Sequence, residues 1–300
     1  MTIEPGSGDS AEVHIHAGGQ GIWVARMIGV LGAEVVLSAA LGGETGQVLR
    51  GLIADEAITV RMTEMHDPNP VYVHDRREGE RRELARSAPP RLSRHEADDL
   101  YGAVLSAALR CDLVVLTGPQ PESVIDPRVY ARLAADLAEN QVPAVADLAG
   151  EHLREALPAG VRLLKIASER LVEDGYAEGD SEAELIGGLE RLRELGARDA
   201  VVSRREQPAL ALVEGRALRL SGPRFEPLDP HGAGDSQTAA MAYGLATGLA
   251  SEELLKLGVA AGALNVTRRG LGSGTKADIE QLTANVEVGA SDSVRGGAGG

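Results

Sequence analysis

From Ser93 onward the apolar positions alternate between helical spacing and short unbroken runs. The spacing predicts helices over 93–110, 127–140, 150–156 and 181–195, interleaved with strands over 112–117, 142–147, 161–166 and 199–203. Strands at 209–213 and 216–220 are joined so tightly that they should pair antiparallel. The Gly232–Gly234 turn opens a helix to about Thr247, and a further helix spans 251–268. Such alternation calls for a mostly parallel sheet with helices on both faces and right-handed crossovers.

The first third of the chain is less regular. Residues 1–10 are polar and turn-rich and are expected to be disordered, as is the small, glycine-rich tail 289–300. Ala11 to His16 alternates like a strand, so His14 and His16 share a face, yet no third ligand stands at a telling spacing for a metal. A glycine cluster at Gly18–Gly21 opens a helix through about Leu31, stopped by Gly32. A buried strand over 33–41 ends at Gly42-Gly43, and a second helix runs to about Glu56. The short alternating stretches of 57–87, with Asp67-Pro68-Asn69-Pro70 and a charged tip, suit hairpins standing off the main body.

Composition narrows the function classes. Only 2% of the residues are aromatic against 43% hydrophobic, so the core must be built from Ala, Val, Leu and Ile. A formal charge of −15 excludes a broad nucleic-acid or anionic-membrane surface. Any anionic ligand must then be held by local devices such as helix N-termini and glycine-rich amides. The single cysteine, Cys111, precedes an apolar run and reads as a small buried hydrophobe, which fits a reducing, cytoplasmic compartment. No window is long and apolar enough to span a membrane.

Asp229-Pro230-His231-Gly232-Ala233-Gly234-Asp235-Ser236 carries the most chemistry. Pro230 stops the preceding segment, two glycines permit a tight turn, and helical spacing follows. Backbone N–H groups and a helix dipole then converge where an anion would sit. A carboxylate there is odd for phosphate binding alone, but it suits a base that takes a proton from an attacking hydroxyl. Asp235 as a plain helix cap explains the octapeptide equally well.

A second landmark separates those readings. Ala17-Gly18-Gly19-Gln20-Gly21-Ile22-Trp23-Val24-Ala25-Arg26 resembles the N-terminal signature of the PfkB, or ribokinase-like, carbohydrate kinases, and the 232–235 turn resembles their C-terminal one. Leu31-Gly32-Ala33-Glu34-Val35, Gly42-Gly43-Glu44-Thr45-Gly46, Thr117-Gly118-Pro119 and Ala260-Ala261-Gly262-Ala263 look like further landmarks in family order. The resemblance spans about 11–285 and is nearest to the 1-phosphofructokinase and tagatose-6-phosphate kinase branch. It implies one αβα domain over 11–285 with a small β lid at about 10–17 and 57–87, covering a sugar. It also implies an ATP and Mg²⁺ site along the sheet's carboxyl edge, and a homodimer formed through the lids. Asp235 is the implied base, with the amides of Gly232, Ala233 and Gly234 stabilising the transferring phosphoryl group. Lys165, Ser203, Arg204 and Gly262 would line the nucleotide, and Gly18, Gly19, Gln20 and Trp23 the substrate.

Several positions depart from the family pattern. Its opening Asn-Pro-Ala-x-x-Asp strand has no counterpart, the only early aspartate being Asp9. Gln20 and Trp23 stand where a lysine and an asparagine are usual, and a Thr-Arg pair of the lid is replaced around Asn69-Pro70. The segment whose Asn and Glu organise magnesium through water reads Lys165-Ile166-Ala167-Ser168-Glu169-Arg170, so Ala167 offers no oxygen and Arg170 reverses a charge. The glycine loop near the nucleotide has become Ser203-Arg204-Arg205-Glu206-Gln207-Pro208, where the two arginines could meet phosphates. His231 reads as a solvated loop histidine or a phosphate contact. Two functions therefore stand: an active small-molecule kinase, or a weakened relative that binds a ligand or partner without turnover.

Overall fold

The computed structural model describes residues 1–7, 10–54, 56, 58–268 and 270–291. In chain order the first elements are β1 (Thr2–Pro5), β2 (Ala11–His14), α1 (Gln20–Leu31), β3 (Val36–Gly42) and α2 (Gly43–Ala54). β4 (Thr59–Met65), β5 (Tyr72–Asp75), β6 (Arg82–Arg86) and α3 (Arg94–Ala108) follow. Then come β7 (Val114–Thr117), α4 (Pro127–Glu139), β8 (Ala144–Asp147), α5 (Gly150–Ala156) and β9 (Val161–Ala167). α6 (Ser168–Glu173), α7 (Glu182–Glu194), β10 (Ala197–Arg204), β11 (Gln207–Val213) and β12 (Arg216–Ser221) lead to α8 (Ala233–Ala246). α9 (Ser251–Val266), α10 (Lys276–Thr283) and β13 (Glu287–Ala290) complete the set. None of the described helices is long and apolar enough to cross a membrane.

The chain divides into two compact units. The first holds Met1–Gly19, Val36–Val104 and Pro119–Ile125. Its four-stranded sheet runs β2-β1-β5-β6, while β3 and β4 form a separate parallel pair. This corrects two expectations. Thr2–Pro5 is ordered, because β1 pairs antiparallel with β2 and parallel with β5, which satisfies its backbone groups. Residues 59–65, expected as part of a hairpin, instead pair in parallel with β3 from Val36↔Thr59 to Gly42↔Met65, within the same unit. Gly42 and Gly43 are required here, since a Cβ on Gly42 would strike the carbonyl oxygens of Met65 and Asp67.

The second unit comprises Gln20–Val35, Leu105–Gly118 and the described residues from Asp126 onward. Its seven-stranded sheet has the order β13-β12-β11-β10-β9-β8-β7. β7 to β10 run parallel, and β11, β12 and β13 extend them with each neighbouring pair antiparallel. Side chains alternate across this sheet. Ala146, Leu164, Ile166, Ala200 and Val202 face a core shared with α4, α5 and α7. Val145, Leu163, Val201 and Ala211 face the other way, onto Met241 and Ala242 of α8 and Leu254 and Leu255 of α9. Both faces are thus covered, the condition under which parallel strands are stable. β13 continues to Ala290, so the tail expected from Gly289 is ordered at its start, where Leu218↔Ala290 pairing holds it. Residues 292–300 of that tail lie outside the described residues.

Helix α8 is buried around most of its circumference and is made largely of small residues. Ala239 and Ala240 pack against Val24, Met27 and Leu31 of α1 and Ala260 and Ala261 of α9. Close approach depends on missing side chains: a Cβ on Gly258 would meet Met241, and one on Gly262 would lie 3.2 Å from the Ala233 carbonyl oxygen. The entry to β10 is equally tight. Gly196 has φ +131°, and a Cβ there would collide with the Leu157 carbonyl. Gly196→Ala should therefore destabilise the second unit by about 2–4 kcal/mol in urea unfolding, combining backbone strain with overpacking. A loss under about 0.5 kcal/mol would contradict this packing.

Candidate active site

Gly232, with φ +73°, caps α8, a left-handed conformation that glycine adopts without strain. Ala233, Gly234 and Asp235 are therefore the first three residues of the helix, whose N–H groups have no partner within it. Asp235 is only 6% exposed, and its Oδ1 is buried without a hydrogen-bond partner. A buried orphan acceptor costs about 1–3 kcal/mol, so it marks a place where a ligand's donor belongs.

Strand register brings a second carboxylate and a cation to the same end of the sheet. Val145↔Leu163 and Ala146↔Leu164 pairing puts Asp147, the last residue of β8, beside Lys165 of β9. Lys165 Nζ donates to Asp147 Oδ2 at 3.3 Å, and Thr238 Oγ1 of α8 donates to the same oxygen at 2.8 Å. All three side chains are buried. The Lys165 ammonium occupies the place a Cβ on residue 234 would take, so a side chain at the second helical position would displace it. Burial, then the Asp147 charge, push the Asp235 carboxyl up to about 7, and Lys165 offsets only part of this. Asp147 and Thr238 have no local motif to announce them.

A further clamp fixes the turn from the other side. Asn265 of α9, fully buried, donates from Nδ2 to the His231 carbonyl at 2.7 Å. Its Oδ1 accepts from Ser236 Oγ at 3.1 Å and from the Gly272 amide at 3.0 Å. Gly272 in turn lies against the backbone of Trp23, where a Cβ would sit 2.5 Å from the carbonyl oxygen. His231 is exposed and bonds Asp229 Oδ1 through Nδ1 at 2.6 Å. That aspartate also accepts from the His231 amide at 3.1 Å, closing the turn locally.

The remaining sequence-predicted residues divide. Gln20 and Trp23 lie in the first turn of α1, and Gln20 Oε1 approaches Gly118, whose amide donates to the Asp147 carbonyl at 3.0 Å. Gly18 and Gly19 end the first unit's amino-terminal segment, and Asp9 lies outside the described residues. Ser203 pairs with Ala167 across β10 and β9. Arg204 is committed elsewhere: it bridges to Glu182 at 3.3 Å and also donates to Gln207 and to the Asp180 carbonyl. Arg205 pairs with Glu169. Gly262 is partly exposed and lies where α9 approaches the first turn of α8.

The donor set does not fit a divalent cation held by the protein. Ala167 brings no side-chain oxygen, and Arg170 pairs with Glu173 at 3.3 Å and Asp174 at 3.5 Å. Among the described residues no group of three His, Cys, Asp or Glu side chains is placed to hold a metal, His14 and His16 included. His14 instead lies 3.4 Å from Glu12 and stacks on His16.

The raised carboxyl has a consequence for stability. A folded-state value above the unfolded one means that the native state binds more protons, so stability falls as pH rises from about 4 to about 7. Asp235→Asn removes that penalty. The variant should be more stable than the parent at pH 8, by on the order of 4 kcal/mol at most, and the gap should shrink toward pH 5. Urea unfolding at both pH values checks this, and a gap independent of pH would contradict it.

Comparison with known proteins agrees with this architecture. The family model described as pfkB family carbohydrate kinase matches residues 4–278. The ATP-dependent 6-phosphofructokinase isozyme 2 of Mycobacterium tuberculosis is 29% identical over 88% of this chain and 78% of its own. The 1-phosphofructokinase of Bacillus subtilis is 27% identical over 91% of this chain and 88% of its own. Among solved structures, phosphofructokinase-2 from Escherichia coli in complex with potassium superposes with a TM-score of 0.83 at 26% identity, covering 94% of each chain. A seven-stranded sheet flanked by helices, a glycine turn opening a buried helix and a family match across most of the length lead to one conclusion: this chain belongs to the PfkB family of carbohydrate kinases and has their ribokinase-like α/β fold.

Proposed function

We propose that this chain is an ATP-dependent phosphotransferase acting on a hydroxyl of a sugar or sugar phosphate, with Asp235 as the base. The observation that carries this reading is the buried, unpartnered Oδ1 of Asp235 in the first turn of α8, beside amides that no helical carbonyl satisfies. The relatives named as phosphofructokinases support an acceptor among the sugar phosphates. In the step proposed, the acceptor oxygen attacks the γ-phosphorus while the bond to the β–γ bridging oxygen breaks. ADP leaves with that electron pair, and the hydroxyl proton passes to the Asp235 carboxylate. A carboxyl poised at about 7 suits this transfer, because a base works best near the ambient pH. The amides of Gly232, Ala233 and Gly234 meet the charge on the phosphoryl group without reorganising. Gln20 and Trp23 would contact the acceptor, and Ser203 and Lys165 the nucleotide. Thr238 and Lys165 orient Asp147, whose charge keeps the affinity of Asp235 for a proton high.

The test is ATP consumption across a panel of sugars and sugar phosphates. With the accepted substrate, Asp235→Asn should lower kcat by at least about 100-fold. Equal turnover in both proteins would remove Asp235 from the mechanism. For the parent, kcat/KM should rise with pH through about 7 as Asp235 loses its proton. A flat profile from pH 5.5 to 8.5 would contradict that assignment.

The first unit supports a homodimer formed through the lid. Val13 and Ile15 are more than half exposed, and β2, which carries Val13, is an edge strand of its sheet. Light scattering should give twice the mass of one chain, and Val13→Asp with Ile15→Asp should halve it. A dimer that survives both substitutions forms through another surface.

A further inference from the structure

We propose a second, non-catalytic binding site at the carboxyl end of α8, shaped for a small monocarboxylate with an apolar body. It stands independently of the kinase reading above.

The site is a cleft of about 340 Å³ that lies wholly within the second unit. That volume is in the range of small-molecule sites. Leu31, the last residue of α1, and Leu257 of α9 line it and are buried. Leu249, in the connection from α8 to α9, also lines it and is 40% exposed. Water on these leucines is released when a ligand's apolar body covers them. Tyr243, a further lining residue, stands eight residues after Asp235 on the same helix. About 12 Å of α8 therefore separates this cleft from the carboxylate of the active site.

The polar groups around the cleft decide the charge of its ligand. Lys276, the first residue of α10, donates from Nζ to the phenol oxygen of Tyr243 at 2.9 Å. The phenol accepts that bond and keeps its own hydrogen to donate, while the ammonium has further hydrogens. The lining hydroxyls are committed elsewhere. Thr247 Oγ1 donates to the Tyr243 carbonyl at 2.9 Å, and Thr283 Oγ1 donates to the Ile279 carbonyl at 2.8 Å. The last turn of α8 is closed as well, since the amides of Thr247, Gly248 and Leu249 bond the carbonyls of Tyr243, Leu245 and Gly244. Of the two acidic lining residues, Glu253 pairs with Lys256 at 3.4 Å. Glu280 stays 3.9 Å from Lys276, too far for a hydrogen bond. One cation and one phenol with donors to give select an anionic acceptor, and a carboxylate offers an oxygen to each. The chain's −15 charge and the two glutamates select a single charge over a polyanion such as a nucleotide.

Calorimetric titration of the full chain with octanoate, octan-1-ol and butanoate tests this. Octanoate should bind at least about 10-fold more tightly than either of the others, because octanol lacks the charge and butanoate lacks most of the apolar body. Lys276→Met should weaken octanoate at least about 10-fold and leave octanol within about 2-fold of the parent. Tyr243→Phe, which keeps the ring, should weaken octanoate about 3-fold or more. Leu249→Asp should weaken octanoate and octanol together, by at least about 10-fold each. Asp235→Asn should bind octanoate within about 2-fold of the parent. A parent that binds no octanoate overturns the proposal, and so does octanoate binding unchanged in Lys276→Met or Leu249→Asp. Octanol binding as tightly as octanoate overturns it too, since the cleft would then select no charge. Loss of octanoate in Asp235→Asn would put the probe at the 232–235 turn, which overturns this site and leaves the kinase reading intact.

Discussion

A carboxylate that must shed or keep its proton inside a packed interior is the constraint on which the site depends. Asp235 stands where α8 begins, with water largely excluded and the Asp147 charge nearby. Lys165 is the counterweight, and it keeps its place against Gly234 because the second residue of the helix lacks a side chain. Three backbone features follow from that arrangement. The helix must start at Ala233 from a left-handed glycine, β8 must end in Asp147, and β9 must present Lys165 beside it. Displacing any one of them leaves a buried charge uncompensated, which costs several kcal/mol.

The rest of the second unit holds that geometry still. Because α8 is built of alanine, glycine and small polar residues, α1 and α9 approach it closely and fix its axis. Asn265 then ties the turn to the 270–274 loop and, through Gly272, to the backbone of Trp23. The 231–236 turn and the 270–274 loop are thereby linked by one amide side chain. The cost of an aromatic-poor core is recovered in close packing of many aliphatic chains, among them Leu164, Leu189 and Leu192, which are fully buried.

Much of this was legible in the residues. The 232–235 turn announced itself because glycines, a proline and a helical apolar rhythm are all local signals. The strand and helix alternation from Ser93 was legible for the same reason. What stayed hidden depends on distant partners. Asp147 closes an apolar run with no motif around it, and its role exists only because β9 lies alongside. Asn265 reads as one polar residue in an alanine-rich helix, and its partners lie 7, 29 and 34 residues away. Arg204 carries the charge a phosphate wants, yet Glu182, 22 residues earlier in the chain, has claimed it. Thr2–Pro5 looked too polar and too near a terminus to be ordered, but strand pairing with β2 and β5 outweighs composition.

The proton affinity of Asp235 in the folded protein is the most direct point of contact with experiment. Carbon-13 NMR of aspartate-labelled protein, with Asp235→Asn supplying the assignment, reads that titration without substrate or turnover. A midpoint near 7 is expected from the burial of the carboxyl and the neighbouring Asp147 charge. A midpoint at or below about 4, the ordinary carboxylate range, would mean that water or a firm ion pair reaches the group, and it would contradict the site described here.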